Sequence, residues 1–187
     1  MKRADEQLVS DYLEGDESAL AILVDRYLSD LCNFTYSLTQ DRQSAEDVAQ
    51  EAFVKAWKNM RRFVPGNSFR GWLFSIARNT ALDLLRKKHD VAFSAFETEG
   101  SNVLLDTLED TQPLPDELLA RAEDARYLEN LLEELNPLYR EVLTLRHTSN
   151  MTFEEIGQIV GRPLHTVKSQ YRRAIAALQR VTQVRPV

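Results

Sequence analysis

A single cysteine stands among 187 residues, so no internal disulfide can form. With three histidines beside it, no zinc site is expected either. Cys32 lies in the periodic run DLCNFTYSL and reads as plain core. Glycine and proline number six each, about half their usual share, which leaves too few turn makers for a sandwich or barrel of many short strands. No apolar run approaches the roughly 18 residues that cross a bilayer. In the opening MKRADEQLVSDYLEGDE, acidic residues interrupt any signal-peptide core, and the chain is expected in the cytoplasm. No nucleophile set, Walker loop or metal cluster is visible, so neither catalysis nor a cofactor is expected.

What is present is apolar content of 43%, enough for a packed core, and a patterned charge. The formal net charge is -6, from 23 basic and 29 acidic residues. By stretch it is -8 over 1–52, +7 over 53–90, -10 over 91–135 and +5 over 136–187. Two basic blocks thus flank an acidic one. Screening over about 8 Å lets each basic block act alone on a polyanion. The same blocks also fit solvated surface or a partner-binding face.

Periodicity argues for an all-α protein of two small helical domains. Leu20, Leu23, Val24, Tyr27, Leu28, Leu31 and Cys32 form one stripe of a helix over about 17–38. Ser44 and Asp47 resemble a capping box for a helix over about 45–60, with Val48, Ala49, Ala52, Phe53, Ala56 and Trp57 inward. Pro65, Gly66 and Asn67 mark a loop. Phe69, Trp72, Leu73, Ile76, Ala77, Thr80 and Leu84 give a third helical face, ending in RKKHD at 86–90. From Val91 to Leu114 the period dissolves into a 24-residue acidic linker. Pro115 opens a further helix, and Asn136 with Pro137 caps another reaching about Arg146.

The C-terminal half carries a helix-turn-helix. Thr152 and Glu155 form a capping box, Phe153, Ile156 and Ile159 face inward, and Gly161 ends the helix. After Pro163, the inward residues Val167, Tyr171, Ala174 and Leu178 fix the opposite face, which holds His165, Thr166, Ser169, Arg172 and Arg173, with Lys168 and Gln170 at its margins. These groups suit phosphate and base edges, as a recognition helix in the major groove requires. In the third helix Ser75, Asn79, Asp83 and Arg86 form a polar stripe. Asn79 is a candidate for bases, Arg70 and Arg78 for phosphates, and Phe63 and Asn67 for an unstacked base. A competing reading makes Trp57, Phe69, Trp72 and Phe74 core aromatics. Phe63, in a turn beside Pro65, is the aromatic least explained by packing.

These two halves together resemble the extracytoplasmic-function, or group IV, sigma factors of the sigma-70 family. The first half is similar to that family's region 2 through DRQSAEDVAQEAFVKAWKNMRRF and FRGWLFSIARNTALDLLRKK, and the second to region 4 through LNPLYREVLTLRH, MTFEEIGQIVG and VKSQYRRAI. The resemblance implies domains over 1–90 and 115–187, joined by the 91–114 linker, and no region 3. It implies polymerase clamp contact through Asp47, Gln50, Glu51, Val54 and Lys55. Melting and capture of the -10 element fall to Arg61, Arg62, Phe63, Asn67, Ser68, Arg70, Arg78, Asn79 and Arg86. Recognition of the -35 element falls to Arg162, Pro163, His165, Thr166, Lys168, Ser169, Arg172 and Arg173. Implied partners are core RNA polymerase at its clamp and flap, promoter DNA, duplex at -35 and single-stranded at -10, and an anti-sigma factor. The free chain is expected as a monomer, and nucleoid-associated when bound to polymerase. His165 stands where the family commonly has glycine and Gln170 where it usually has arginine, which leaves the -35 preference open. The alternative is an autonomous helix-turn-helix regulator, which would bind duplex DNA tightly without polymerase.

Overall fold

The computed structural model describes residues 3–88 and 135–184, which form seven α-helices and no strand. The linker and the helix expected to begin at Pro115 lie outside the described residues. Helix α1 (Asp5–Leu13) buries Leu8 and Val9 and was not foreseen from periodicity. Helix α2 (Glu17–Thr39) is capped by Asp16, whose side chain accepts from the Ser18 N–H at 3.0 Å. Its buried stripe, Leu23, Tyr27, Leu31, Phe34 and Leu38, keeps the expected spacing of three and four.

Helix α3 (Arg42–Lys58) starts about a turn earlier than the Ser44 capping box implied. Asp41 is the N-cap, accepting from the Ser44 N–H at 3.0 Å, and Ser44 itself is buried in the first turn. An aspartate in extended backbone satisfies the orphan donors as well as serine does, and it comes first in the chain. The inward face of α3 is mostly alanine (Ala45, Ala49, Ala52 and Ala56), which lets its axis approach the neighbouring helices closely. A 3₁₀ turn (Met60–Arg62) and a reverse turn through Pro65 and Gly66, closed by the Asn67 N–H on the Val64 carbonyl at 3.2 Å, lead to α4 (Phe69–Lys88). Ser68 begins α4 as its cap, its hydroxyl accepting from the Gly71 N–H at 3.1 Å.

In the second half Asn136 caps α5 (Pro137–Leu143), accepting from the Leu138 N–H at 2.9 Å with Pro137 in the first turn, as expected. The helix then widens into a π turn over Thr144–Thr148 instead of running on as α-helix to Arg146. Helix α6 (Phe153–Val160) shows the full Thr152–Glu155 capping box, and Gly161 takes the left-handed conformation at φ 68° that a branched side chain resists. Helix α7 (Leu164–Val184) follows. Because Thr152 satisfies an N–H that has no helical partner, Thr152→Ala is expected to lower stability by about 1 kcal/mol, read as a lower urea midpoint at unchanged m-value.

The two halves touch. Helix α2 packs against α5 and the π turn, and α4 packs against α6. Arg140, buried at the junction, donates to the carbonyls of Ser37 at 3.1 Å and Leu135 at 3.0 Å. The Ser37 carbonyl is one of the last four of α2, so the guanidinium also meets the negative end of that helix dipole.

Candidate nucleic-acid interface

On α7 the register fixes which side chains are offered outward. Val167, Ala174 and Leu178 are buried, as is most of Tyr171, each where the period placed it. His165 is exposed, and Thr166, Lys168, Ser169, Arg172 and Arg173 are half-buried. Arg162 and Pro163 lie in the turn before the helix. Gln170 departs from expectation: its side chain is buried rather than marginal, and its amide nitrogen finds no partner in the described protein. Ile175 and Gln170 widen the inward stripe, which explains the displacement, since positions 167, 170, 171, 174, 175 and 178 together line one helical face.

Gly157 holds the two helices of the motif together, a feature the sequence reading missed. A Cβ there would lie 2.9 Å from the Arg162 carbonyl, and the Arg162 N–H donates to the Gly157 carbonyl at 3.0 Å. Only a residue without a side chain admits so close a return of the chain. Behind α7, the His147 Nε2 sits 3.0 Å from the Tyr171 hydroxyl, and Phe153 meets the Tyr171 ring edge-on. Partial burial, together with neighbouring Arg146, holds His147 below the ordinary imidazole value.

Around α4 the candidate residues divide. Arg61, Arg62, Asn67, Ser68, Asn79 and Arg86 are exposed, with Arg86 3.5 Å from Asp83. Phe63 is a correction: it is 8% exposed, packed on Phe69 and Trp72 with ring centroids 5.8 and 5.4 Å away. The turn at Pro65 folds it back onto α4 rather than out to solvent. Arg70 faces Asp30 at 3.3 Å and also donates to the Ser149 carbonyl of the second half. Arg78 reaches Glu141 of α5 at 2.6 Å. Burial pushes the Glu141 carboxyl above its usual range, against the opposing pull of Arg78 and Arg162.

The outward face of α3 carries Asp47, Gln50, Glu51 and Val54, all exposed, while Lys55 pairs with Glu51 at 2.8 Å and with the Thr80 hydroxyl at 3.0 Å. Trp57 continues this face instead of joining the core: it is 48% exposed, one turn beyond Val54, its indole N–H donating to the Tyr12 hydroxyl. With Tyr12, Leu13 and Met60 it lines a shallow groove against α1. Cys32 is partly buried against the core, which pushes its thiol pKa up. Among the described residues, no three His, Cys, Asp or Glu side chains come together as a metal site, and no helix is long and apolar enough to cross a membrane.

The sigma-70 region 2 model matches residues 23–90 and the sigma-70 region 4 model matches residues 125–178. The chain is 31% identical over 170 residues to the ECF RNA polymerase sigma factor SigW of Bacillus subtilis, covering 89% of this chain and 90% of that one. It is similar to the solved structure of CnrH in complex with the cytosolic domain of CnrY, with a TM-score of 0.71 and 26% identity over 98% of this chain and all of that one. It is also similar to the sigma factor RpoE of Bartonella quintana, solved in complex with the anti-sigma factor NepR, with a TM-score of 0.66 and 25% identity over 89% of this chain and 98% of that one. A helix-turn-helix on a capping-box helix, joined to an all-helical region 2, thus comes with similarity over nearly the whole length of known sigma factors: the chain belongs to the extracytoplasmic-function sigma factors of the sigma-70 family, which confer promoter recognition on RNA polymerase and are not themselves catalysts.

Proposed function

We propose that this chain binds core RNA polymerase in the cytoplasm through the outward face of α3, reads the -35 element with α7, and opens and captures the -10 element with α4 and the 61–68 loop. The observation that carries this reading is the pairing of both sigma regions in one chain with the outward register of α7. We place the working units at 1–90 and 115–187. The two elements, about 17 base pairs apart at about 3.4 Å each, lie roughly 58 Å from one another. The 24 residues of 91–114 extend to about 80 Å and so can bridge them. Two weak sites joined in this way select for promoters carrying both, since the second contact forms at high effective concentration. Strand opening costs a few kcal/mol per unstacked step, which contacts to the flipped base and the separated strand offset. Exposed Asn79, Asn67, Arg61 and Arg62 are the groups available for those contacts. Similarity to a sigma factor solved with its anti-sigma factor supports a protein inhibitor of this chain as well.

Transcription in vitro tests the reading. The protein alone is expected to bind duplex DNA weakly, and with core polymerase to start transcripts at discrete promoters drawn from a genomic library. Tight duplex binding by the free chain, with no start site added to polymerase, would identify an autonomous regulator instead.

A further inference from the structure

Lys55 stands on α3 beside the residues assigned to polymerase, yet its ammonium is directed onto the neighbouring helix. It donates to the Thr80 hydroxyl of α4 at 3.0 Å, 25 residues on, and pairs with Glu51 one turn back on α3 at 2.8 Å. Asp47, Gln50, Glu51 and Val54 are all exposed, whereas Lys55 is half-buried. Buried Ala52 and Ala56 beside it keep the inner face of α3 low, which brings α4 within reach of the side chain. Thr80 is 3% exposed, and its hydroxyl donates in turn to the Ile76 carbonyl at 2.9 Å. That oxygen thus accepts from a cation while its proton is given to the backbone, and each bond polarises the other.

The consequence falls on one turn of α4. A threonine bonded back to the carbonyl four residues earlier tends to bend a helix and to weaken it locally. Residues 76–80 are the turn that carries Asn79, the exposed amide assigned to the -10 element. A bond from an ammonium to the Thr80 oxygen is stronger than a neutral one, and it ties this turn to α3. We infer that Lys55 is a positioning residue for -10 capture: through Thr80 it fixes the turn of α4 that presents Asn79, and it does not itself dock on polymerase. The inference rests on the functional reading above, which assigns Asn79 to the -10 element and the outward face of α3 to polymerase.

The test uses the full chain with core polymerase and compares initiation on a duplex promoter with initiation on the same promoter opened beforehand at -10. Affinity for core polymerase is measured separately, without DNA. Thr80→Val keeps the side-chain shape and removes the hydroxyl. It is expected to lower initiation on the duplex about fivefold, the equivalent of one hydrogen bond, while the opened template and the core affinity stay within about twofold of wild type. Thr80→Ser, which keeps the hydroxyl, should match wild type. Lys55→Met should reproduce the Thr80→Val loss, and the double variant should lose no more than either alone, because both remove the same bond. Losses that add, or a drop in core affinity with Lys55→Met alone, overturn the inference and make Lys55 a polymerase contact. A parallel fall on both templates and in core affinity with Thr80→Val also overturns it, as a packing effect. Should Thr80→Val lose helicity by circular dichroism, Lys55→Met decides: a loss confined to the duplex supports the inference, and any other result overturns it. If the wild-type chain adds no start site to core polymerase, the functional reading falls and the inference with it. If wild type initiates and both single variants equal it on the duplex, the inference alone falls.

Discussion

Arg172→Ala and Arg173→Ala are each expected to lower initiation at promoters that depend on a -35 element by about 5- to 150-fold, the range of one lost base contact worth about 1–3 kcal/mol. Both side chains rise from the outer face of α7, next to buried Val167, Tyr171 and Ala174, so the helix itself holds them in place. Alanine is a good helix former, and unfolding should move by no more than about 0.5 kcal/mol. Binding to core polymerase, measured without DNA, should be unaffected, because that contact is assigned to α3. The pattern across promoter variants separates two roles. An arginine on a base edge, when removed, relaxes selection at one position. An arginine on a phosphate weakens every sequence alike and lowers the salt slope by about one. Initiation unchanged in the double variant would remove α7 from the -35 contact altogether.

The legibility of this chain followed the range of the interactions involved. The register of α7, the Thr152–Glu155 box, the Asn136 cap and the turn at Gly161 are set by residues within a turn or two of each other, and each appears in the structure as the sequence indicates. Helix α1 was missed because its N-cap is Ala4, without a side-chain bond, and its two buried residues Leu8 and Val9 are too few to set a period. Phe63 and Trp57 exchanged expected roles for a tertiary reason. The turn at Pro65 carries Phe63 back onto Phe69 and Trp72, while α3 fills its inner face with alanines and leaves Trp57 outside against Tyr12. Gly157 matters through the close return of Arg162, which no apolar pattern announces. The Arg78–Glu141 pair joins residues 63 apart. In sequence each reads as surface charge, and only the contact between the two halves of the structure reveals that they meet, Glu141 out of water. For the same reason the candidate cations of the -10 site divide into exposed Arg61, Arg62 and Arg86, the last beside Asp83 on its own helix, and Arg70 and Arg78, which reach groups of the second half.

The largest single effect on stability is expected from Phe74→Ala, at about 3–5 kcal/mol, because a fully buried ring leaves a cavity that the surrounding helices close only in part. Phe74 meets Phe34 of α2 with ring centroids 5.3 Å apart, and the Arg70 guanidinium lies 5.8 Å above its ring. Its loss therefore removes packing between α2 and α4 and a cation-π contact together. Domains of this kind are stable by about 5–15 kcal/mol, so the variant should keep its fold at low temperature and lose much of it on warming. Urea unfolding at 25 °C measures the change, and Phe74→Leu, which refills most of the space, should recover more than half of it. A loss below about 1 kcal/mol would mean that the α2–α4 contact is not tightly packed. The functional consequence differs in kind from that of the α7 arginines. Since α4 carries Asn79 and packs against α3, Phe74→Ala should reduce polymerase binding and -10 opening together, in proportion to the folded fraction, and a low assay temperature should restore both.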